Sequence, residues 1–241
     1  MMDQFRLDRM TTDASAQPVV ILGGFLITTE AYQPMADWIR QRDDCDVVVI
    51  PASRIDWLLT SWAFGWRRLL DRVHAEVSCL AAGSPTGRVT LIGHSSGGVM
   101  LRLYLSDRSF AGRRYGGAGM CNRLITLGSP HQARRATPLR AMVDREFPGA
   151  AFPGVDYIAV AGTLDPTSST ASAFSRRTAA NNYRSIVGTS EVEGDGLVPV
   201  TSALLQGARH LVLPDTAHGG FFGSSWYGST DRLDQWCDQV L

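Results

Sequence analysis

Gly93, Ser95 and Gly97 form a G-x-S-x-G pentapeptide between the apolar run Leu91-Ile92 and a second apolar run that starts at Val99. A serine at the centre of such a turn becomes chemically useful when a strained backbone pushes its side chain outward. That requires glycines where flanking side chains would collide. A helix opening directly after the turn aims its N-terminal amides and dipole at any negative charge that develops there. The pattern predicts Ser95 as a nucleophile. Ser96 is the rival, but its two-residue neighbours are His94 and Gly98, so the glycine spacing selects Ser95.

A serine hydroxyl is a poor nucleophile near neutral pH. It needs an adjacent base, which in turn needs an orienting acid. For a strand-serine-helix turn the chain order is serine, carboxylate, histidine. Five histidines are available. His74 precedes the serine on a helical stretch. His94 lies within the turn and points away from the direction Ser95 takes. His131 follows a strand end, within reach of a pocket rim. His210 begins the last strand and reads as structural. His218, in Asp215-Thr216-Ala217-His218-Gly219-Gly220, follows that strand and is the predicted base. Asp195 stands between Gly194 and Gly196, which lets its carboxylate approach another side chain closely. It leaves room for one helix and one strand before His218 and is the predicted acid. Asp165, just after a strand, is the alternative acid, and Asp215 is too near His218 along the chain. An oxyanion needs two backbone N–H donors. These are assigned to Phe25, in the loop after the first strand, and to Ser96.

The elements that must position these groups alternate. Apolar, β-branched runs predict strands over 19–22, 47–50, 88–92, 124–127, 156–160 and 209–213, and helical spacing predicts helices over 29–40, 67–80, 99–105 and 233–241. Continuous apolar strands separated by helices imply an α/β fold, with a mostly parallel sheet covered on both faces. Residues 18–241 are read as the catalytic domain after a polar N-terminal segment, 1–17. Two segments, 132–154 and 163–182, break the alternation and are expected to be lids or pocket walls. The apolar stretch Trp57–Trp66 and the aromatic residues Phe147, Phe152, Phe221 and Phe222 suggest an acyl pocket. Trp57, Trp62 and Phe221 are the predicted substrate contacts.

Together, Gly23-Gly24-Phe25 after the first strand, Gly-His-Ser-Ser-Gly at 93–97, Thr-Leu-Gly-Ser-Pro-His at 126–131 and Gly-Asp-Gly-Leu-Val-Pro at 194–199 resemble a lipase-like α/β-hydrolase. More narrowly, the chain resembles the lipase and GPI-inositol-deacylase-like hydrolases of plants and cyanobacteria. Trp226-Tyr227-Gly228-Ser229, Trp236 and Arg54-Ile55-Asp56-Trp57 carry that narrower likeness, which runs from about Val19 to the C-terminus. It implies an α/β-hydrolase fold, ester hydrolysis, and Ser95, Asp195 and His218 as nucleophile, acid and base. Gly23 replaces a proline frequent in the family, and Gly219-Gly220 replaces a polar residue followed by proline. Both departures surround the pocket, so they bear on the substrate more than on the reaction.

The 241 residues carry 23 Lys plus Arg against 23 Asp plus Glu. Zero net charge excludes an electrostatic case for nucleic acid and gives no reason to expect a highly anionic substrate. The N-terminus lacks the apolar core of a secretory signal, and no run reaches the length of a membrane span. A cytoplasmic enzyme with at most transient membrane contact is expected. Cys45, Cys79, Cys121 and Cys237 include no CxxC pair and are expected as free thiols. No cofactor or metal is expected, although a structural calcium near Glu191, Glu193 and Asp195 stays open. The predicted activity is hydrolysis of carboxylic esters with apolar acyl groups. The alternatives are an acyltransferase or thioesterase using the same three residues, or a non-catalytic binding protein on a hydrolase scaffold.

Overall fold

A computed structural model describes residues 17–241. The N-terminal expectation therefore falls, but for Gln17, outside the described residues. The six expected strands are present: β1 (Val19–Leu22), β2 (Val47–Val49), β3 (Val89–His94), β4 (Cys121–Leu127), β5 (Asp156–Thr163) and β6 (Arg209–Pro214). They pair in the order β2-β1-β3-β4-β5-β6, every pair parallel. Parallel strands are buried on both faces, which explains why β1 is apolar without alternation and why β1 and β3 are buried throughout.

Helices cover each face. On one side lie α1 (Gln33–Asp43), which follows a short 3-10 turn, and the last helix, α8 (Thr230–Val240). On α8, Leu233, Trp236, Cys237 and Val240 are buried, the i, i+3, i+4, i+7 stripe of a half-buried helix. On the other side lie α2 (Arg54–Leu59), α3 (Ala63–Gly83) and α4 (Ser96–Leu105). Trp66, Leu69, Leu70, Val73, Val77 and Ala81 turn α3 inward. A capping box at Ser53 and Asp56 starts α2, and Arg68 and Arg72 of α3 bond the same Asp56 carboxylate. The two segments outside the alternation each hold a helix, α5 (Pro138–Glu146) and α6 (Ala173–Val187), and the short α7 (Val200–Ala203) precedes β6.

The strand order reverses between β1 and β3. In such a sheet a crevice opens at the carboxyl ends of the two strands that flank the reversal. Leu22 ends one of these strands, with Gly23 and Gly24 following it, and Ser95 follows the other, so the topology alone brings the Phe25 loop and Ser95 together.

Candidate active site

Ser95 sits between β3 and α4 with φ 52° and ψ −122°, far from the regions an L-residue prefers. Its N–H donates to the Leu127 carbonyl at 2.9 Å. The turn closes because its neighbours lack side chains. A Cβ on Gly93 would stand 2.4 Å from the Gly98 Cα, and one on Gly97 would stand 2.4 Å from the carbonyl oxygens of Leu22 and Gly23.

His218, in the loop after β6, places Nε2 2.9 Å from Ser95 Oγ and Nδ1 2.8 Å from Asp195 Oδ2. Facing a carboxylate, Nδ1 carries the proton, which leaves the Nε2 lone pair to accept from the serine hydroxyl. The His218 N–H also donates to the Asp195 carbonyl at 2.8 Å. Asp195 is fully buried. Its Oδ1 accepts from the Leu197 and Val198 amides at 3.0 and 2.7 Å, and its Oδ2 accepts a second bond from Tyr227 OH at 2.8 Å. Four bonds fix that carboxylate. Burial and the adjacent Asp195 charge keep the Tyr227 hydroxyl protonated, far above its ordinary range. Asp165 is exposed and bonds Thr167, while Asp215 accepts from Ser168 and Thr170. Of these three carboxylates, Asp195 is the one bonded to His218.

His94 has a partner set of its own, with its ring 4.8 Å from that of His218. Its Nε2 lies 2.8 Å from the His218 carbonyl and its Nδ1 lies 2.7 Å from Tyr32 OH. Tyr32 OH accepts from the Gly24 N–H at 2.8 Å. Nε2 must donate to the carbonyl, so Nδ1 receives the tyrosine proton. One chain of bonds thus ties the Gly24-Phe25 loop to the backbone of the base. Tyr32, His94 and Tyr227 acquire these roles through contacts distant in sequence.

Phe25 and Ser96 both line the cavity beside Ser95. Among the described residues neither N–H has a hydrogen-bond acceptor. For Ser96, the first residue of α4, an orphan N–H is what a helix start leaves.

The cavity holds about 920 Å³, and its apolar lining includes Phe25, Leu26, Ile27, Phe174, Ile186, Phe222 and Trp226, with Phe221 the most exposed. Phe221, 71% exposed, lines this cavity. Trp57 and Trp62 do not, which corrects two predicted contacts. Trp57 is fully buried in the core and donates its indole N–H to the Ile27 carbonyl. Trp62 is 58% exposed, stacked on Phe64 outside the cavity. Phe147 and Phe152 pack against the core instead of the pocket. His131 does not reach the rim: it is buried between Arg102 and Thr126. The four thiols are free, with Cys121 and Cys237 buried and Cys79 exposed.

His94 and His131 share a consequence. Burial holds both imidazoles well below the usual range, helped for His131 by the adjacent Arg102 charge. Unfolded, each protonates near its ordinary value of about 6.5. A depressed folded pKa makes the unfolded state the stronger proton binder, so stability present near pH 7 is lost as pH falls below about 6.5. Each histidine contributes up to ~1.4 kcal/mol per pH unit. Urea unfolding at about pH 7, 6 and 5 should show proton uptake approaching two per molecule. A flat profile would mean that both rings are charged in the folded protein.

The structure aligns with esterase 2 of Thermogutta terrifontis phosphoramylated by tabun, with a TM-score of 0.51 and 13% identity over 92% of this chain and 81% of that one. It aligns with a putative hydrolase of the α/β superfamily from Xanthomonas campestris pv. campestris over 83% of this chain and 87% of that one, with a TM-score of 0.48 and 14% identity. No protein-family model and no curated sequence matches the chain. The first alignment and the parallel six-stranded sheet identify an α/β-hydrolase fold.

Proposed function

We propose that this protein is a serine hydrolase that cleaves carboxylic esters with apolar acyl groups through an acyl-enzyme on Ser95. The observation that supports this reading is the unbroken series of bonds Ser95–His218–Asp195, at 2.9 and 2.8 Å, on a strained strand-to-helix turn. His218 accepts the Ser95 proton as Oγ attacks the ester carbonyl. Charge on the carbonyl oxygen is met by the Phe25 and Ser96 amides and by the positive end of α4. His218 then passes the proton to the departing alkoxide, and the ester bond breaks. A water molecule activated by the same histidine releases the acid and restores Ser95. Asp195 keeps the imidazole in its working tautomer throughout, and Tyr227 holds Asp195.

The apolar walls and exposed Phe221 favour acyl chains over small polar acids. This agrees with the lipase-like resemblance of the motifs, and the GPI-inositol-deacylase-like group is the narrower family we propose. Among the described residues no helix is long and apolar enough to cross a membrane, so lipid esters would be met at an interface or as dispersed molecules.

Two measurements test the reading. A chain-length series of p-nitrophenyl esters should show turnover, with kcat/KM rising from acetate to medium chains. Because the Thermogutta esterase sharing the fold is one that tabun phosphoramylates, a fluorophosphonate probe should label this protein once, with the adduct mapped to Ser95 by mass spectrometry. Labelling elsewhere, or turnover of acetyl esters alone, would defeat the nucleophile or the apolar-acyl assignment respectively.

A further inference from the structure

The cavity around Ser95 is electrically one-sided. Among the described residues that line it are Arg54 and Arg140, and no Asp or Glu. Arg140 stands in the first turn of α5, where the helix dipole already disfavours a cation, and that turn has no acidic residue to offset it. Its guanidinium is half-buried, donates to Ser96 Oγ at 3.3 Å, and meets no carboxylate within 4.0 Å among the described residues. Burial without a compensating charge weakens its hold on its proton. Arg54 is exposed at the cavity wall and is likewise without an ion pair. The nearest acidic residue along the chain, Asp56, is already held by Arg68 and Arg72. The first turn of α4 contains no acidic residue either. A partly desolvated guanidinium with five donors and one long bond is an incomplete site. An oxyanion completes it, because carboxylate and phosphate both match the guanidinium fork.

We propose that the substrate is an amphiphile: an apolar ester that also carries a carboxylate or phosphate close to the scissile carbonyl, bound by Arg140 with support from Arg54. Charge balance over the whole chain hid this, since the 23 cations and 23 anions cancel globally while the cavity holds one sign. The inference rests on the ester-hydrolase reading and refines it. Arg140 acts on specificity. Its contact is with Ser96 Oγ, and the predicted oxyanion donor is the Ser96 amide.

Matched substrate pairs test it. One pair is p-nitrophenyl hexanoate and the p-nitrophenyl half-ester of adipic acid, which adds a carboxylate to the acyl group. The other is a medium-chain monoacylglycerol and its glycerol phosphate counterpart, which adds a phosphate on the alcohol side. Wild type should favour the anionic member of at least one pair, and the favoured pair identifies the source of the anion. Arg140→Gln should lower kcat/KM for that member about thirtyfold, largely through KM, the scale of a lost charge-assisted hydrogen bond. The neutral member should fall far less. Arg140→Lys, which keeps the charge but loses the fork, should fall between. Arg54→Gln, on the exposed wall, should reduce the preference about threefold, and it guards against misfolding of the Arg140 variants. Equal losses for neutral and anionic esters in Arg140→Gln, carried in kcat, would make Arg140 a stabiliser of the oxyanion and overturn the proposal. So would wild-type preference for the neutral member of both pairs, with ester hydrolysis itself left standing. Turnover of none of the four esters would sink the hydrolase reading instead.

Discussion

Ser95→Ala should lower kcat on any ester the wild type cleaves by about 10⁶-fold, the scale seen when a serine protease loses its nucleophile. Removing Oγ leaves His218 without a proton to accept and the substrate without an attacking atom. The acyl-enzyme cannot form, so splitting one hard step into two easier ones is lost. KM should move little, since the cavity walls are other side chains. A remnant rate about 10³-fold above water should persist, because the Phe25 and Ser96 amides, the oxyanion donors we propose, are left in place. The fold should tolerate the change: the stress at φ 52° is in the backbone and is shared by alanine. Steady-state kinetics on the best ester of the series, with thermal unfolding alongside, decides the matter. A variant within tenfold of wild type would mean that His218 activates a water directly and that Ser95 is a bystander.

What could be read from the chain alone follows the range of the forces involved. All six strands were legible because each is a short β-branched run bounded by Gly, Pro or charge, and a parallel strand needs no partner to look buried. The Ser95 turn was legible because its glycine requirement is local. Helix faces at the pocket were not. Trp57 and Trp62 lie five positions apart in one apolar stretch, yet the break between α2 and α3 turns the first into the core and the second to solvent. Periodicity cannot place that break, since Leu58, Leu59, Trp62 and Phe64 would suit either side. His94 was read as part of the turn and Tyr227 as part of a motif because their partners, the His218 carbonyl and Asp195, arrive from loops distant in the chain. Arg140 lies in an amphipathic helix among exposed charges, and nothing in its neighbours marks it as facing Ser96. Arg54, Arg140, Phe174 and Ile186 line the cavity from α2, α5 and α6, three helices that the periodicity did not predict.

Asp195→Asn should lower kcat by about 10⁴-fold with little change in KM, the cost of a wrong histidine tautomer in a serine hydrolase. The hydrogen bonds of this site say why. The backbone amides of Leu197 and Val198 occupy Oδ1, so the asparagine oxygen must stay there and its NH2 must take the place of Oδ2. That NH2 faces His218 Nδ1, which can then no longer donate and has to accept. The ring proton moves to Nε2 and points at Ser95, so the base has lost the lone pair it needs. Tyr227 OH, a donor to Asp195 at 2.8 Å, would have to turn and accept, so the packing around the site could survive intact. Asp165→Asn is the matched control. That carboxylate is exposed and bonds Thr167, and its loss should alter kcat by less than about twofold, as for most surface substitutions. If Asp165→Asn fell by orders of magnitude while Asp195→Asn stayed near wild type, the acid in solution would not be the one bonded to His218. The loop after β5 would then have to move to bring Asp165 to the base, and Asp195, buried with four bonds, would be holding structure in place of a proton.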